Sequence, residues 1–262
     1  MTNVRIGVQL HPQHATYHDI RRAVMQAEEM GVDVVYNWDH FYPLYGAADG
    51  EHFECWTMLG AWAEQTERIE LGALVTCNSY RNPDLLADMA RTVDHISNGR
   101  LILGIGSGWF ERDYVEYGYE FGTAGGRLDH LADSLPRIVA RLARLNPAPT
   151  RDIPIMIGGG GLKKTLRMTA QYASIWHHFG SPHNMAHKAA ALDEWCAHFN
   201  RSPAAIERAV GVDWGKVTDV PLTAATYVGN GFGQFTLGIN GPDYDLSVVE
   251  PWLRWRDTWN EG

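Results

Sequence analysis

Long apolar runs are missing from this chain. No stretch approaches the roughly 18 residues of a membrane helix, and no charged-then-apolar leader stands at the start, so the sequence reads as that of a cytoplasmic protein with no membrane partner. Cysteine is scarce. Cys55, Cys77 and Cys196 are odd in number and widely spaced, which excludes a disulfide framework and a cysteine-based zinc pattern and fits a reducing compartment. Positive charge is in deficit: 22 Lys and Arg against 31 Asp and Glu give a net charge of −9, which speaks against a nucleic-acid partner held by bulk charge. Low-complexity tracts and domain linkers are also lacking, so residues 1–262 are read as one domain.

What is present is an alternation of short apolar runs with amphipathic segments. Strands are expected at Val4–Leu10, Asp33–Trp38, Ile69–Thr76, Leu101–Gly106, Ile155–Ile157, Ser174–Phe179, Ala209–Val212 and Phe235–Ile239. Between them lie helical patterns. Thr16 is placed to cap a helix carrying Ile20, Ala23, Val24, Ala27 and Met30, which Gly31 ends. A helix with Trp56, Leu59, Gly60 and Ala63 on one face follows the second strand. Asn82 and Pro83 open a helix whose apolar face is read as Leu85, Leu86, Met89, Val93 and Ile96, stopped by Asn98-Gly99. Further helices are expected near Arg127–Leu145, up to Tyr172, over Asn184–Phe199 and over Leu246–Trp259. Leu101–Gly106 is apolar or glycine throughout, the signature of a parallel strand covered on both faces. Eight βα units predict an α/β fold, a (β/α)8 TIM barrel, with a doubly wound open sheet as the runner-up.

In such a barrel, chemistry collects after the strands. His11, Gln13 and His14 follow the first; Asn37, Trp38, Asp39 and His40 end the second; Cys77 to Arg81 follow the third; Ser107 to Glu111 follow the fourth. Asp39-His40 is the candidate acid–base pair, because histidine titrates near neutrality and an adjacent carboxylate can orient the ring. Gly158-Gly159-Gly160-Gly161 stands between a strand and a helix. Backbone N–H groups there can seat a phosphate, with Lys163 and Lys164 in the first turn as counter-charge; the alternative is a tight turn needing positive φ. Gly104-Ile105-Gly106-Ser107-Gly108 lacks dinucleotide-fingerprint spacing and reads instead as backbone against which a flat ring can lie. Twelve histidines raise a metal reading, but His11 and His14 lie after the strand and His177-His178 are adjacent, so no metal site is expected. Trp252, Trp255 and Trp259 share one helix face, read as packing on the barrel or another subunit.

The run from Arg68-Ile69-Glu70-Leu71-Gly72 through Tyr80-Arg81-Asn82-Pro83 and Val93-Asp94-His95-Ile96-Ser97-Asn98-Gly99-Arg100-Leu101 resembles the signature of the luciferase-like family. Gly106-Ser107-Gly108-Trp109-Phe110-Glu111, Ile155-Met156-Ile157 with the tetraglycine, and Gly238-Ile239-Asn240-Gly241-Pro242 are similar to the same group. The resemblance covers nearly the whole chain. It implies a (β/α)8 barrel that binds FMN or, by closer likeness, coenzyme F420, and a homodimer acting on a small organic substrate. It implies that Asp39 and His40 lie beside the redox ring, with His40 moving the proton coupled to hydride transfer at the deazaflavin C5. A non-proline cis peptide near Ala73 and Leu74 would buttress the ring, Gly106 and Ser107 would face its pyrimidine side, and Gly158 to Gly161 would hold the phosphate. Two departures stand out. The stretch between Leu145 and Ile155 is shorter than in relatives, and Trp109 and Leu44 replace the glutamate and the aromatic of the sugar-phosphate dehydrogenase branch, which argues against a sugar phosphate. The competing readings are an FMN-dependent monooxygenase, a flavin-binding barrel without turnover, and a metal-dependent hydrolase.

Overall fold

The computed structural model describes residues 3–262. Its first βα unit shows how the sequence builds the others. Strand β1 (Arg5–Leu10) is buried on both faces beyond its first residue. Thr16 then caps helix α1 (Tyr17–Glu29): its hydroxyl accepts from the Asp19 N–H at 3.2 Å, and the Asp19 carboxylate accepts from the Thr16 N–H at 3.3 Å. This reciprocal box satisfies two N–H groups that the first turn leaves open. The helix turns Ile20, Ala23, Val24 and Ala27 onto the barrel.

The chain continues with β2 (Val34–Asn37), α2 (Cys55–Gln65), β3 (Glu70–Ala73), β4 (Thr76–Cys77), α3 (Pro83–Ile96), β5 (Leu101–Gly106), α4 (Glu111–Tyr117) and α5 (Ala124–Leu142). It ends with β6 (Ile155–Gly158), α6 (Thr165–Tyr172), β7 (Ile175–Phe179), α7 (Pro182–His198), β8 (Glu207–Val212), α8 (Val220–Val228), β9 (Gln234–Ile239) and α9 (Glu250–Glu261). The strands pair in parallel. β1 lies between β2 and β9, with Gly7 opposite Val34 and Arg5 opposite Gln234. β3 pairs with both β2 and β5, which closes the ring. β3 and β4 are two pieces of one stave, parted at Leu74–Val75, so the nine segments make an eight-stave (β/α)8 barrel.

Inside the barrel, Val34, Tyr36, Leu74, Ile102, Met156, Ile175 and Ala209 pack together. Below them, at the amino ends of the strands, Arg5 lies between Glu70 and Glu207, and Arg151 reaches Glu70 at 2.8 Å. This cluster closes that end. The opposite end remains open and carries the polar residues.

The structure departs from the sequence reading in four places. The third strand is interrupted and not continuous from Ile69 to Thr76. The buried stripe of α3 is Leu86, Ala87, Ala90 and Val93, whereas Leu85 and Ile96 are 54% and 41% exposed. Small alanines, not the largest apolar side chains, mark the face that meets the barrel. α4 and α8 lie in segments where the sequence pattern places no helix. α5 starts at Ala124, where Thr123 accepts from the Gly126 N–H, and α9 starts only at Glu250. The tryptophan face of α9 does pack on the barrel: Trp252 and Trp255 lie 5.5 and 5.4 Å from the ring of Phe235. Among the described residues, no helix is long and apolar enough to cross a membrane.

Candidate active site

A cavity of about 290 Å³ opens at the carboxyl ends of the strands. Its lining includes Asp39, His40, Leu74, Gly106, Ser107, Gly158 and Gly159, seven of the ten residues singled out in the sequence. Ala73 lies beneath them in β3. Gly160 and Gly161 stand behind, in the turn toward α6. The Leu74–Val75 peptide bond is cis, at the end of β3. From the far side of the barrel, Gln9 of β1 donates through Nε2 to the Leu74 carbonyl at 2.7 Å. Val75 forms the cavity floor between two glycines. An added Cβ at Gly106 would lie 2.7 Å from one Val75 methyl, and at Gly158 it would lie 2.9 Å from the other.

Asp39 and His40 are neighbours in sequence but do different work. The Asp39 carboxylate is fully buried and takes both arms of Arg81, Nη2 at 2.9 Å, while Cys77 N–H donates to it at 2.9 Å. Arg81 Nη2 also reaches Glu54 at 2.7 Å. Between these two carboxylates, the Arg81 pKa is raised despite the desolvation that burial imposes on its charge. Asp39 therefore ties the end of β2 to β4 and is not the partner of His40. That partner is Asp113 of α4, which is wholly buried: His40 Nδ1–H donates to Asp113 Oδ2 at 2.7 Å. Tyr80 O–H donates to the same oxygen at 3.0 Å, and Phe41 N–H donates to Oδ1 at 3.1 Å. Burial above all, with Cys77 and Asp113 beside it, raises the Tyr80 pKa and keeps it a donor.

With Nδ1 committed to Asp113, Nε2 is the ring nitrogen that His40 has left for the cavity it lines. Trp38, Trp109 and Phe110 meet the ring edge-on at 6.0, 5.6 and 5.5 Å. Trp109 is 62% exposed, so it is an outer wall that solvent reaches.

The tetraglycine is shaped largely by crowding. Gly159 has φ of +125°, a backbone that favours glycine, and an added Cβ at Gly160 would lie 2.4 Å from the His178 ring. The expected first-turn lysines are corrected: α6 begins at Thr165, and Lys164 Nζ pairs with Asp129 at 2.6 Å, drawn toward α5. The cation that reaches the turn is Lys188 of α7, whose Nζ donates to the Gly160 carbonyl at 2.6 Å. Both members of the His177-His178 pair line the cavity. His177 is 1% exposed, and its Nε2 is buried with no hydrogen-bond partner. Burial first, then the neighbouring His178, lowers its pKa to about 3, so the ring is neutral. His11 stacks on Trp38 at 4.3 Å, and His14 Nε2 meets the Tyr45 carbonyl at 2.8 Å. Among the described residues, no group of three His, Cys, Asp or Glu side chains is placed to hold a metal ion.

Sequence reasoning missed Asp113, Val75, Gln9 and Lys188. Asp113 was reachable: Glu111-Arg112-Asp113 directly follows the glycine-rich end of β5, and a short helix there turns its third residue back toward the mouth.

A family model described as luciferase-like monooxygenase matches residues 1–213. Among curated proteins, an F420-dependent glucose-6-phosphate dehydrogenase of Amycolatopsis mediterranei (strain U-32) is 28% identical over 178 residues, covering 60% of this chain and 52% of that protein. The chain spans about half the length of the curated relatives it matches. Among solved structures, an F420-dependent secondary alcohol dehydrogenase in complex with an F420-acetone adduct superimposes with a TM-score of 0.82 at 16% identity, covering 95% of this chain and 98% of that one. A riboflavin lyase with modified FMN and riboflavin follows at a TM-score of 0.76 and 11% identity, covering 97% and 92%. These two likenesses concern the fold.

Proposed function

We propose, because this chain belongs to the luciferase-like monooxygenase family, that it is an oxidoreductase whose barrel mouth holds coenzyme F420 and acts on a small organic substrate. The cavity fits a flat heteroaromatic ring. Its floor is Val75, its walls are glycine backbone at Gly106 and Gly158, and the buried, partnerless His177 Nε2 offers one hydrogen bond to a polar ring edge. Gly158 and Gly159, with Lys188 behind the turn, would take the anionic side of the cofactor. When bound, the deazaflavin supplies or accepts the hydride at C5.

The chain's own residues do the rest. Asp113 fixes the ring of His40, Nε2 accepts or returns a proton at the substrate oxygen, and Asp39 with Arg81 holds β4, just beyond the cavity floor, in place. The observation that carries the reading is the Asp113–His40 dyad at the edge of a cavity floored by Leu74–Val75.

The test is titration with coenzyme F420 and with FMN, followed by fluorescence. Saturable F420 binding that His40→Ala leaves largely intact while slowing turnover is the expected result. Saturable binding of FMN alone overturns the deazaflavin assignment in favour of the monooxygenase reading. A homodimer belongs to the same proposal, and sedimentation velocity tests it.

A further inference from the structure

Asp113 Oδ2 serves two partners, and the proton transfer assigned to His40 accounts for one of them. His40 Nδ1 lies 2.7 Å from that oxygen, and the Tyr80 hydroxyl donates to it at 3.0 Å. The other oxygen, Oδ1, accepts from the Phe41 N–H at 3.1 Å. The carboxylate is wholly buried, so protein donors and not solvent share its charge.

The place of Tyr80 is fixed by its surroundings. It ends the short turn Asn78–Tyr80 between β4 and α3. Its ring lies 4.8 Å from that of Phe41 and 5.2 Å from those of Tyr114 and Tyr119, and its carbonyl accepts from the Tyr119 hydroxyl at 3.1 Å. Only 6% of the residue is exposed. A donor held among packed rings acts on its acceptor without further ordering.

The other ionisable groups nearby leave the charge of Asp113 to these donors. His52, from the loop after β2, accepts from the Trp38 indole N–H at 2.9 Å, and burial, then His40, lowers its pKa to about 4. Burial pushes up the Cys77 thiol of β4 and the Tyr114 phenol of α4. Across the cavity, burial pushes down both His177 and His178 of β7. All five are mainly uncharged near pH 7. Asp39 pairs with Arg81, Arg112 pairs with Asp49, Arg127 of α5 lies over Phe121, and Glu111 and Glu116 of α4 are exposed.

We propose that Tyr80 is a positioning residue for the proton transfer at His40: by occupying one side of Asp113 Oδ2, its hydroxyl limits the pull of that carboxylate on the imidazole, so that the ring can both take and release a proton. The inference rests on the reading that His40 moves the proton at the barrel mouth. It gives the hydroxyl a task that packing does not require, since phenylalanine has the same ring without the donor. Once the hydroxyl is gone, the charge of Oδ2 falls to His40 alone and favours the imidazolium.

The test is a pH titration of the full chain, labelled with 15N-histidine and free of cofactor, for wild type and Tyr80→Phe. The readout is the imidazole nitrogen resonances of His40, assigned by their loss in His40→Ala. Tyr80→Phe is expected to raise the pH at which they change by roughly 0.5–1, the scale of one hydrogen bond to a charged group passed on in part to its neighbour. In an Asp113→Asn background, Tyr80→Phe should shift them little further, because the shared charge is gone. Replacing Tyr80 with 3-fluorotyrosine keeps the ring and strengthens the donor, so it should lower the same midpoint. A midpoint that neither replacement moves, or a Tyr80→Phe shift that persists in full with Asp113→Asn, overturns the inference; thermal melts equal to wild type exclude unfolding as the cause of a shift. The two readings fail separately: wild-type protein that binds no F420 overturns the proposed function, while normal F420 binding with a His40 titration indifferent to Tyr80 overturns only the role of Tyr80.

Discussion

His40 and Asp113, seventy-three positions apart, meet at 2.7 Å, while the carboxylate next to His40 in sequence turns away to Arg81. The two aspartates should therefore fail differently when changed. His40→Ala is expected to reduce turnover by about 10²–10⁴-fold, the usual contribution of a placed acid–base group. Asp113→Asn should also act on turnover, because an amide can donate as well as accept and no longer fixes the ring. Asp39→Asn should act mainly on stability. Steady-state kinetics beside thermal melts separate these outcomes.

Arg81 forms a buried pair with Asp39 and extends from it to the half-exposed Glu54. Removing one member of a buried pair leaves the other charge uncompensated, at about 3–5 kcal/mol. Arg81→Ala is expected to lose stability on that scale in urea denaturation. Arg81→Lys should rescue only part of it, since an ammonium cannot hold Asp39 with two arms and Glu54 with the same group.

His177 makes stability depend on acid. Its folded-state pKa lies at about 3, below the ordinary 6.5, because the ring is buried. As pH falls below about 6.5, the unfolded chain takes up a proton that the folded chain refuses until about 3. The unfolded state thus holds more protons in this window, and stability falls with pH by up to about 1.4 kcal/mol per unit for this one group. Above about 6.5 the group adds no pH dependence. His177→Gln should flatten the loss of the urea midpoint between pH 7 and pH 5. An unchanged slope would show that the burial of this ring does not govern the acid limb.

The glycines on the inner faces of β5 and β6 divide into two kinds. At Gly104, an added Cβ would lie 1.9 Å from the Ala73 carbonyl oxygen, which is backbone. Gly104→Ala should destabilise the fold by about 1–3 kcal/mol or more. At Gly158, the conflict is with Val75, a stiff β-branched side chain at the cavity floor. Gly158→Ala should leave folding largely intact and weaken cofactor binding by about tenfold, and Gly158→Ala with Val75→Ala should restore part of the loss.

The barrel was legible because its signals are local. Thr16 and Asn82 announce helix starts, and runs such as Leu101–Gly106 announce strands buried on both faces. The place of the cavity at the carboxyl ends of the strands was legible for the same reason, since strand ends can be counted along the chain. Pairings were not. Nothing near His40 in sequence says that Asp113 comes to it, and the adjacency of Asp39 points the wrong way, because consecutive residues leaving a strand face opposite sides. α4 escaped notice because seven residues with four charged ones carry little apolar period. Lys188 could not be assigned to the glycine turn because it arrives from α7, beyond the next helix and strand.

The charged stopper of Arg5, Glu70, Glu207 and Arg151 has a kinetic meaning. A tube sealed at its base gives all traffic one doorway. Under the proposed function, whatever leaves passes the exposed Trp109 at that doorway against whatever arrives, and a turnover that falls in thicker solvent would report its departure.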